Sequence, residues 1–200
     1  METDGTTAQF EMTFSGRVVQ ISSAAGPMFV SNCSAEIQEL LVNPHVTFQQ
    51  VEEKIIEPYL KVMEDVNIPE DQKKTALEGI GLADFSAVGP SYGLSKASLN
   101  AYTVELARKH PNLLINSCTP GFIETDLTRP MAERAGKSPG EMGMKSTDQG
   151  TVAAVFLMMS DLQAEIPDYQ SGRYYGSDGV WSPVHKYRSP GDPPYDGSYP

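Results

Sequence analysis

From Arg17 to Ser23 the chain runs Arg-Val-Val-Gln-Ile-Ser-Ser, a short β-branched stretch that ends in small polar residues. The pattern predicts a strand whose C-terminal end opens into a Ser/Ala/Gly loop. Between residues 34 and 65 the spacing changes. Ile37, Leu40, Leu41, Val51, Ile55, Ile56, Leu60 and Met63 recur near i, i+4, the period of a helix. Pro44 and Pro58 interrupt the run, which predicts at least two helices or one kinked helix. A further helix is expected from Pro69 to Leu77, stopped by Gly79 and Gly81. Ser91 to Lys109 reads as a long helix with Ala97, Ala101, Val104 and Ala107 on a small-residue face, ended by His110-Pro111. Leu113 to Cys118 reads as a buried strand, and Pro120-Gly121 turns the chain away. Residues 128–146, rich in Gly, Met, Lys and Pro, read as a mobile loop. Thr147 or Asp148 is expected to cap a helix running to about Ser160. Gly172 to Tyr175 reads as a last strand.

Strands alternating with helices imply an α/β fold with a parallel sheet. Ligands of such sheets bind beyond the C-terminal ends of the strands. Ser22-Ser23 and Thr119-Pro120-Gly121 both lie at such ends. The same reading divides the chain into a loose lead-in (1–15), an α/β body (16–181) with a helical insertion (24–90), and an irregular, proline-rich tail (182–200).

Composition narrows the function. The 200 residues suit one domain, and 40% hydrophobic against 20% charged residues permits a packed core. A net charge of −11 offers no phosphate-tracking surface, so nucleic acid is not an expected partner. Two cysteines, Cys33 and Cys118, exclude a disulfide-stapled mini-fold and fit a reducing compartment. Met1 to Gln9 has no basic and apolar leader pattern. The longest apolar run, Val152 to Met159, is too short to span a bilayer, so no membrane association is expected. His45, His110 and His185 lie far apart without metal-ligand spacing, and no metal is expected. Together these features predict a cytoplasmic protein.

The sharpest local feature is Tyr92-Gly93-Leu94-Ser95-Lys96. On a helix, residues i and i+4 share a face. An ammonium ~5 Å from a phenol stabilises the phenolate by about 3 kcal/mol at an effective dielectric of ~20. That is the electrostatics proton transfer requires. Alone, such a pair is more often an ordinary Tyr and Lys on a helix face. Ser22 reads as a turn-capping hydroxyl. Cys118 reads as a small buried core residue, and Met142 and Met144 as loop filler.

The order strand–Ser22-Ser23, then the Tyr92-x-x-x-Lys96 helix, then strand–Asn116-Ser117-Cys118-Thr119-Pro120-Gly121-Phe122-Ile123-Glu124-Thr125, resembles the short-chain dehydrogenase/reductase family. Ser177-Asp178-Gly179 is similar to the turn after that family's last strand. The resemblance covers roughly residues 16–180. The long interval between Ser23 and Tyr92, and the phrase Gly16 to Ser23, look like the NADPH-dependent carbonyl reductase branch. Plant terpenoid and alkaloid reductases share such an insertion. The fold implied is the C-terminal portion of a Rossmann-like doubly wound parallel sheet.

The resemblance also implies roles. Tyr92 is the acid that protonates a carbonyl oxygen. Lys96 supports Tyr92 and holds the nicotinamide ribose. Ser23 hydrogen-bonds the substrate oxygen. Pro120 and Gly121 shape the nicotinamide wall, and the Ile123 backbone and Thr125 meet the carboxamide or pyrophosphate. Asn116 fixes the strand end. NADPH is the implied cofactor, and a small ketone, aldehyde or quinone the implied substrate.

Three family features do not occur in this sequence: the Gly-rich turn after the first strand, the Asn-Ala-Gly element, and the Asn that precedes the Ser-bearing strand. Glycines of such a turn let the backbone approach a pyrophosphate. The chain is therefore expected to be the C-terminal part of a reductase, with doubtful cofactor binding of its own. The strand at Val18 to Ile21 is expected to have one unpaired edge and to invite self-association. The competing reading is a non-catalytic remnant or pseudoenzyme that acts as an interaction module.

Overall fold

The computed structural model describes residues 16–82, 90–166 and 168–199. The expected lead-in (1–15) lies outside them. Strands β1 (Gly16–Ile21) and β2 (Leu113–Cys118) pair in parallel, in register from Gly16 opposite Leu113 to Ile21 opposite Cys118. β3 (Tyr174–Tyr175) continues the parallel ladder beside β2, and β4 (Trp181–Ser182) returns antiparallel to β3. Sheet order is β1-β2-β3-β4, so β1 forms an edge among the described residues.

The loop expected after Ser23 is instead a short helix, α1 (Ala25–Val30). The insertion continues with α2 (Ala35–Val42), α3 (Phe48–Val51), a π-helical turn over Glu52–Ile56, α4 (Glu57–Glu64) and α5 (Glu70–Gly79). Ser34 caps α2, and Thr47 caps α3 with Gln50 in a reciprocal capping box. Pro44 separates helices as expected. Pro58 does not break one. It sits at the start of α4, directly after the widened turn in which the Glu57 N–H reaches back to the Glu52 carbonyl. That five-residue step accommodates a residue that lacks an N–H.

The long helix α6 (Pro90–Lys109) carries the insertion. Its Leu94, Ala97 and Ala101 share a buried cluster with Phe29, Val30, Ile37, Leu41, Val46, Val51, Ile55, Tyr59, Leu77 and Leu82. Buried Glu105 pins the far end. It accepts from the Phe48 N–H at 2.8 Å and pairs with Lys109 at 2.7 Å.

Alternation along β2 places helices on both faces of the sheet. Ser117 donates to Asn100 of α6 at 2.9 Å. Leu114 and Cys118 point the other way, against Ala153 and Leu157 of α8 (Thr147–Met159). The cap of α8 is Ser146, with Gln149 completing a capping box, one residue before the expected Thr147. Residues 128–146 are not a featureless loop. They hold α7 (Arg129–Ala135), which has Pro130 in its first turn and Gly136 as its C-cap. A one-turn helix, α9 (Leu162–Glu165), precedes β3. Ser182, the first residue of the expected irregular tail, belongs to β4. No helix among the described residues is long and apolar enough to cross a membrane.

Candidate functional site

A cavity of about 740 Å³ opens at the C-terminal ends of β1 and β2. It brings together Ser23, Tyr92, Pro120, Gly121, Ile123 and Thr125, six of the seven residues singled out from the sequence. The seventh, Lys96, stands beside it, its Nζ 5.7 Å from the centre of the Tyr92 ring.

Tyr92 lies in the first turn of α6 and is 41% exposed, so its phenol is open to a ligand. Lys96 follows one turn later on the same face. Its ammonium donates to the main-chain oxygen of Ile21, 2.9 Å away. An ammonium has three N–H bonds, so two are left for a ligand.

The two serines divide the work differently from the sequence reading. Ser23, not Ser22, makes the local turn, its Oγ accepting from the Ala25 N–H at 3.2 Å. That contact uses an oxygen lone pair and leaves the hydroxyl proton to be donated into the cavity. Ser22 is buried and ties the end of β1 to α6 by donating to the Lys96 carbonyl at 3.3 Å.

Close packing holds these groups in place. A Cβ on Gly93 would lie 2.8 Å from Cβ of Phe29, and one on Gly26 would lie 3.0 Å from the main chain of Lys96. Glycine at both positions lets α1, which follows Ser23, sit directly against the turn of α6 that carries Tyr92 and Lys96.

The wall after β2 is shaped by a turn. Thr119 Oγ1 accepts from the Gly121 N–H at 3.1 Å, and Gly121 has φ of +90°, which glycine adopts without strain. Ile123 bridges in parallel to Lys145. Thr125 is fixed by Thr128, whose hydroxyl accepts from the Thr125 N–H at 2.9 Å. Asn116 is structural, as expected. It is buried, donates to the Tyr169 hydroxyl at 2.6 Å and accepts from the Arg173 N–H at 3.1 Å. Cys118 is buried, and burial pushes its thiol up to about 11. It does not line the cavity.

Sequence reasoning missed part of the lining. Leu127, Thr128 and Met131 come from the entry to α7 and its first turn, and Tyr187, Arg188 and Pro190 from the tail. Low sequence complexity masked both. The one available signal was an aromatic and a basic residue side by side at Tyr187-Arg188, within an otherwise Pro/Ser/Gly-rich stretch. Among the described residues, no three His, Cys, Asp or Glu side chains gather as metal ligands.

A hydroxyl donor, a phenol and an ammonium thus stand together at the ends of parallel strands. No family model matches the chain. Carbonyl reductase (NADPH) 3 of Rattus norvegicus is 28% identical over 161 residues, which cover 78% of this chain and 49% of that protein. Carbonyl reductase (NADPH) 1 of Homo sapiens is 26% identical with the same coverage. The solved structure of salutaridine reductase from Papaver somniferum superposes with a TM-score of 0.51 at 26% identity, over 80% of this chain and 44% of its own. This chain is related to the short-chain dehydrogenases/reductases, and within them is carbonyl reductase-like, over about 78% of its length. It spans about half the length of the curated relatives it matches.

Proposed function

We propose that the protein is an NADPH-dependent reductase of a small carbonyl compound, a ketone, aldehyde or quinone. The observation that carries this reading is the convergence of Ser23, Tyr92 and the Pro120–Thr125 turn on one cavity, with the Lys96 ammonium beside the Tyr92 ring. The residues present suit the nicotinamide end of the cofactor. The two remaining N–H bonds of Lys96 would hold the ribose hydroxyls, and Pro120, Gly121 and Ile123 would form the wall beside the ring. No Gly-rich phosphate turn occurs in the sequence, so these residues offer nothing equivalent for the adenine end.

When bound, the reduced nicotinamide supplies a hydride to the carbonyl carbon. Ser23 donates a hydrogen bond to the carbonyl oxygen and orients it where negative charge develops. Tyr92 transfers its phenolic proton to that oxygen, giving the alcohol. Lys96 stands beside Tyr92, its ammonium 5.7 Å from the centre of the ring. The non-catalytic alternative gains no support from relatives that are themselves reductases. The reading places the protein in the cytoplasm and has it self-associate through the edge that β1 forms among the described residues. A sharp monomer peak in size-exclusion chromatography would contradict that self-association.

The test is an NADPH titration of the purified chain followed by nicotinamide fluorescence, with Lys96→Ala as control and a carbonyl reduction assay alongside. Saturable binding that Lys96→Ala abolishes, with turnover, is expected. Absence of both binding and turnover overturns the reading for this chain.

A further inference from the structure

The tail reaches the cavity and is held by an ion pair. Arg188 Nη2 lies 2.6 Å from Asp178 Oδ2, and Nη1 lies 3.2 Å from Oδ1, a two-point contact between guanidinium and carboxylate. Only 5% of the Arg188 side chain and 22% of the Asp178 side chain is exposed. Asp178 Oδ2 also accepts from the Gly191 N–H at 3.0 Å, and Arg188 Nε donates to the Pro193 carbonyl at 3.1 Å. One carboxylate just after β3 thus gathers the chain from Arg188 to Pro193. Gly176 makes room for it, since a Cβ there would stand 2.7 Å from Asp178 Oδ1 and 3.1 Å from Arg188 Nη1. Further along, the Tyr195 N–H bonds the Trp181 carbonyl at 3.1 Å, and the two rings meet edge to face at 5.0 Å.

A buried ion pair is weak evidence of net stability, because desolvation offsets much of the attraction. What this one does fix is position. The residue before Arg188 is Tyr187, which borders the cavity and is 46% exposed although its neighbour is buried. An aromatic side chain left open at the rim of a cavity, on a backbone held by a two-point contact, is a preformed wall for a ligand's apolar part.

We propose that Tyr187 determines specificity by packing on the part of the substrate remote from its carbonyl, and that Arg188, held by Asp178, is the positioning residue that sets it there. The proposal deepens the reductase reading and rests on it for what the carbonyl end meets. A substrate with a second ring would gain from Tyr187 a contact that a one-ring substrate lacks. The ring face of Tyr187 matters, and its hydroxyl does not.

The test measures binding, without cofactor, of two aromatic ketones that differ by one ring, acetophenone and benzophenone, to the whole chain by ligand-observed NMR. The native protein is expected to prefer benzophenone. Tyr187→Ala is expected to lose about tenfold of that preference, roughly the worth of an aromatic contact, and Tyr187→Phe to keep it. Arg188→Met is expected to behave as Tyr187→Ala and also to shift the emission of Trp181, the one tryptophan of the chain, to the red. A merely structural role would weaken both ketones alike, and that result overturns the proposal. So does an unchanged preference in Tyr187→Ala, or a native protein that binds neither ketone. If Arg188→Met does not fold, the two Tyr187 variants decide. Ring-selective binding without turnover in the presence of NADPH sinks the reductase reading and leaves this proposal standing. Turnover with a preference indifferent to Tyr187 does the reverse.

Discussion

Lys96 Nζ and the carbonyl oxygen of Ile21 are hydrogen-bonded at 2.9 Å. Ile21 is the last residue of β1, and its position in the ladder gives that contact its meaning. The Ser22 N–H bonds the Cys118 carbonyl, so Ser22 faces β2 and Ile21 faces away from it. Lys96 supplies to Ile21 the partner that a further strand would supply, and in doing so fastens the strand end to the helix that carries Tyr92.

Removing this link should loosen the site end of the molecule. Lys96→Ala is expected to lower stability by about 1 kcal/mol, the usual net worth of one such bond, and Lys96→Arg by less. Thermal melts followed by circular dichroism measure both. An alanine variant that melts with the native protein would show that the link contributes nothing.

Gly93→Ala runs against helix propensity. Alanine is favoured over glycine inside a helix by about 1 kcal/mol, yet the new methyl would stand 2.8 Å from Phe29 Cβ. Overpacking of this kind costs about 1–3 kcal/mol, so the variant should be less stable in urea and should bind ligand more weakly, because α1 and the turn at Ser23 must shift. A stabilised variant would mean the two helices part freely.

Much of this was legible along the chain. β2 runs from Leu113 to Cys118 as its apolar run predicts, and α6 ends where His110-Pro111 ends it. Ser23, Tyr92, Pro120 and Gly121, singled out through the family resemblance, all line one cavity. α1 was not legible, since Ala24-Ala25-Gly26-Pro27 looks like a turn. Its helix is selected by the fit of Gly26 against α6, a contact between residues far apart in sequence. The cap of α8 was misplaced because three hydroxyl or carboxylate residues stand in a row at Ser146-Thr147-Asp148. Only Ser146 has its reciprocal partner, Gln149, three residues on. The tail's share of the cavity depends on Arg188 reaching Asp178, which no local pattern announces.

Acid should weaken the anchor of the insertion. The Lys109 ammonium bonded to Glu105 holds that carboxyl below its ordinary value of 4.5, and the Phe48 N–H adds to this against the opposing effect of burial. The folded value lies below the unfolded one, so the unfolded chain binds more protons in the interval between them. The stability this contact gives is complete above about 4.5 and is lost as pH falls through the folded value. Glu105→Gln should flatten the pH dependence of melting in that acid interval. An unaltered slope would place the acid sensitivity elsewhere.

Cys118 should resist alkylation. With its thiol pushed up to about 11 by burial, it carries almost no thiolate near pH 8, and the thiolate is the reactive form. Iodoacetamide followed by peptide mass spectrometry should find Cys118 unmodified in the native protein and modified in denaturant. Rapid native labelling would show that β2 opens readily.

The closeness of α1 and α6 at Gly26 and Gly93 reaches beyond stability. Ser23, Tyr92 and Lys96 are joined by that close fit, whereas further lining residues of the cavity come from α7 and the tail. Changes in the tail or in α7 can therefore reshape the cavity while the packing of Ser23, Tyr92 and Lys96 stays as it is.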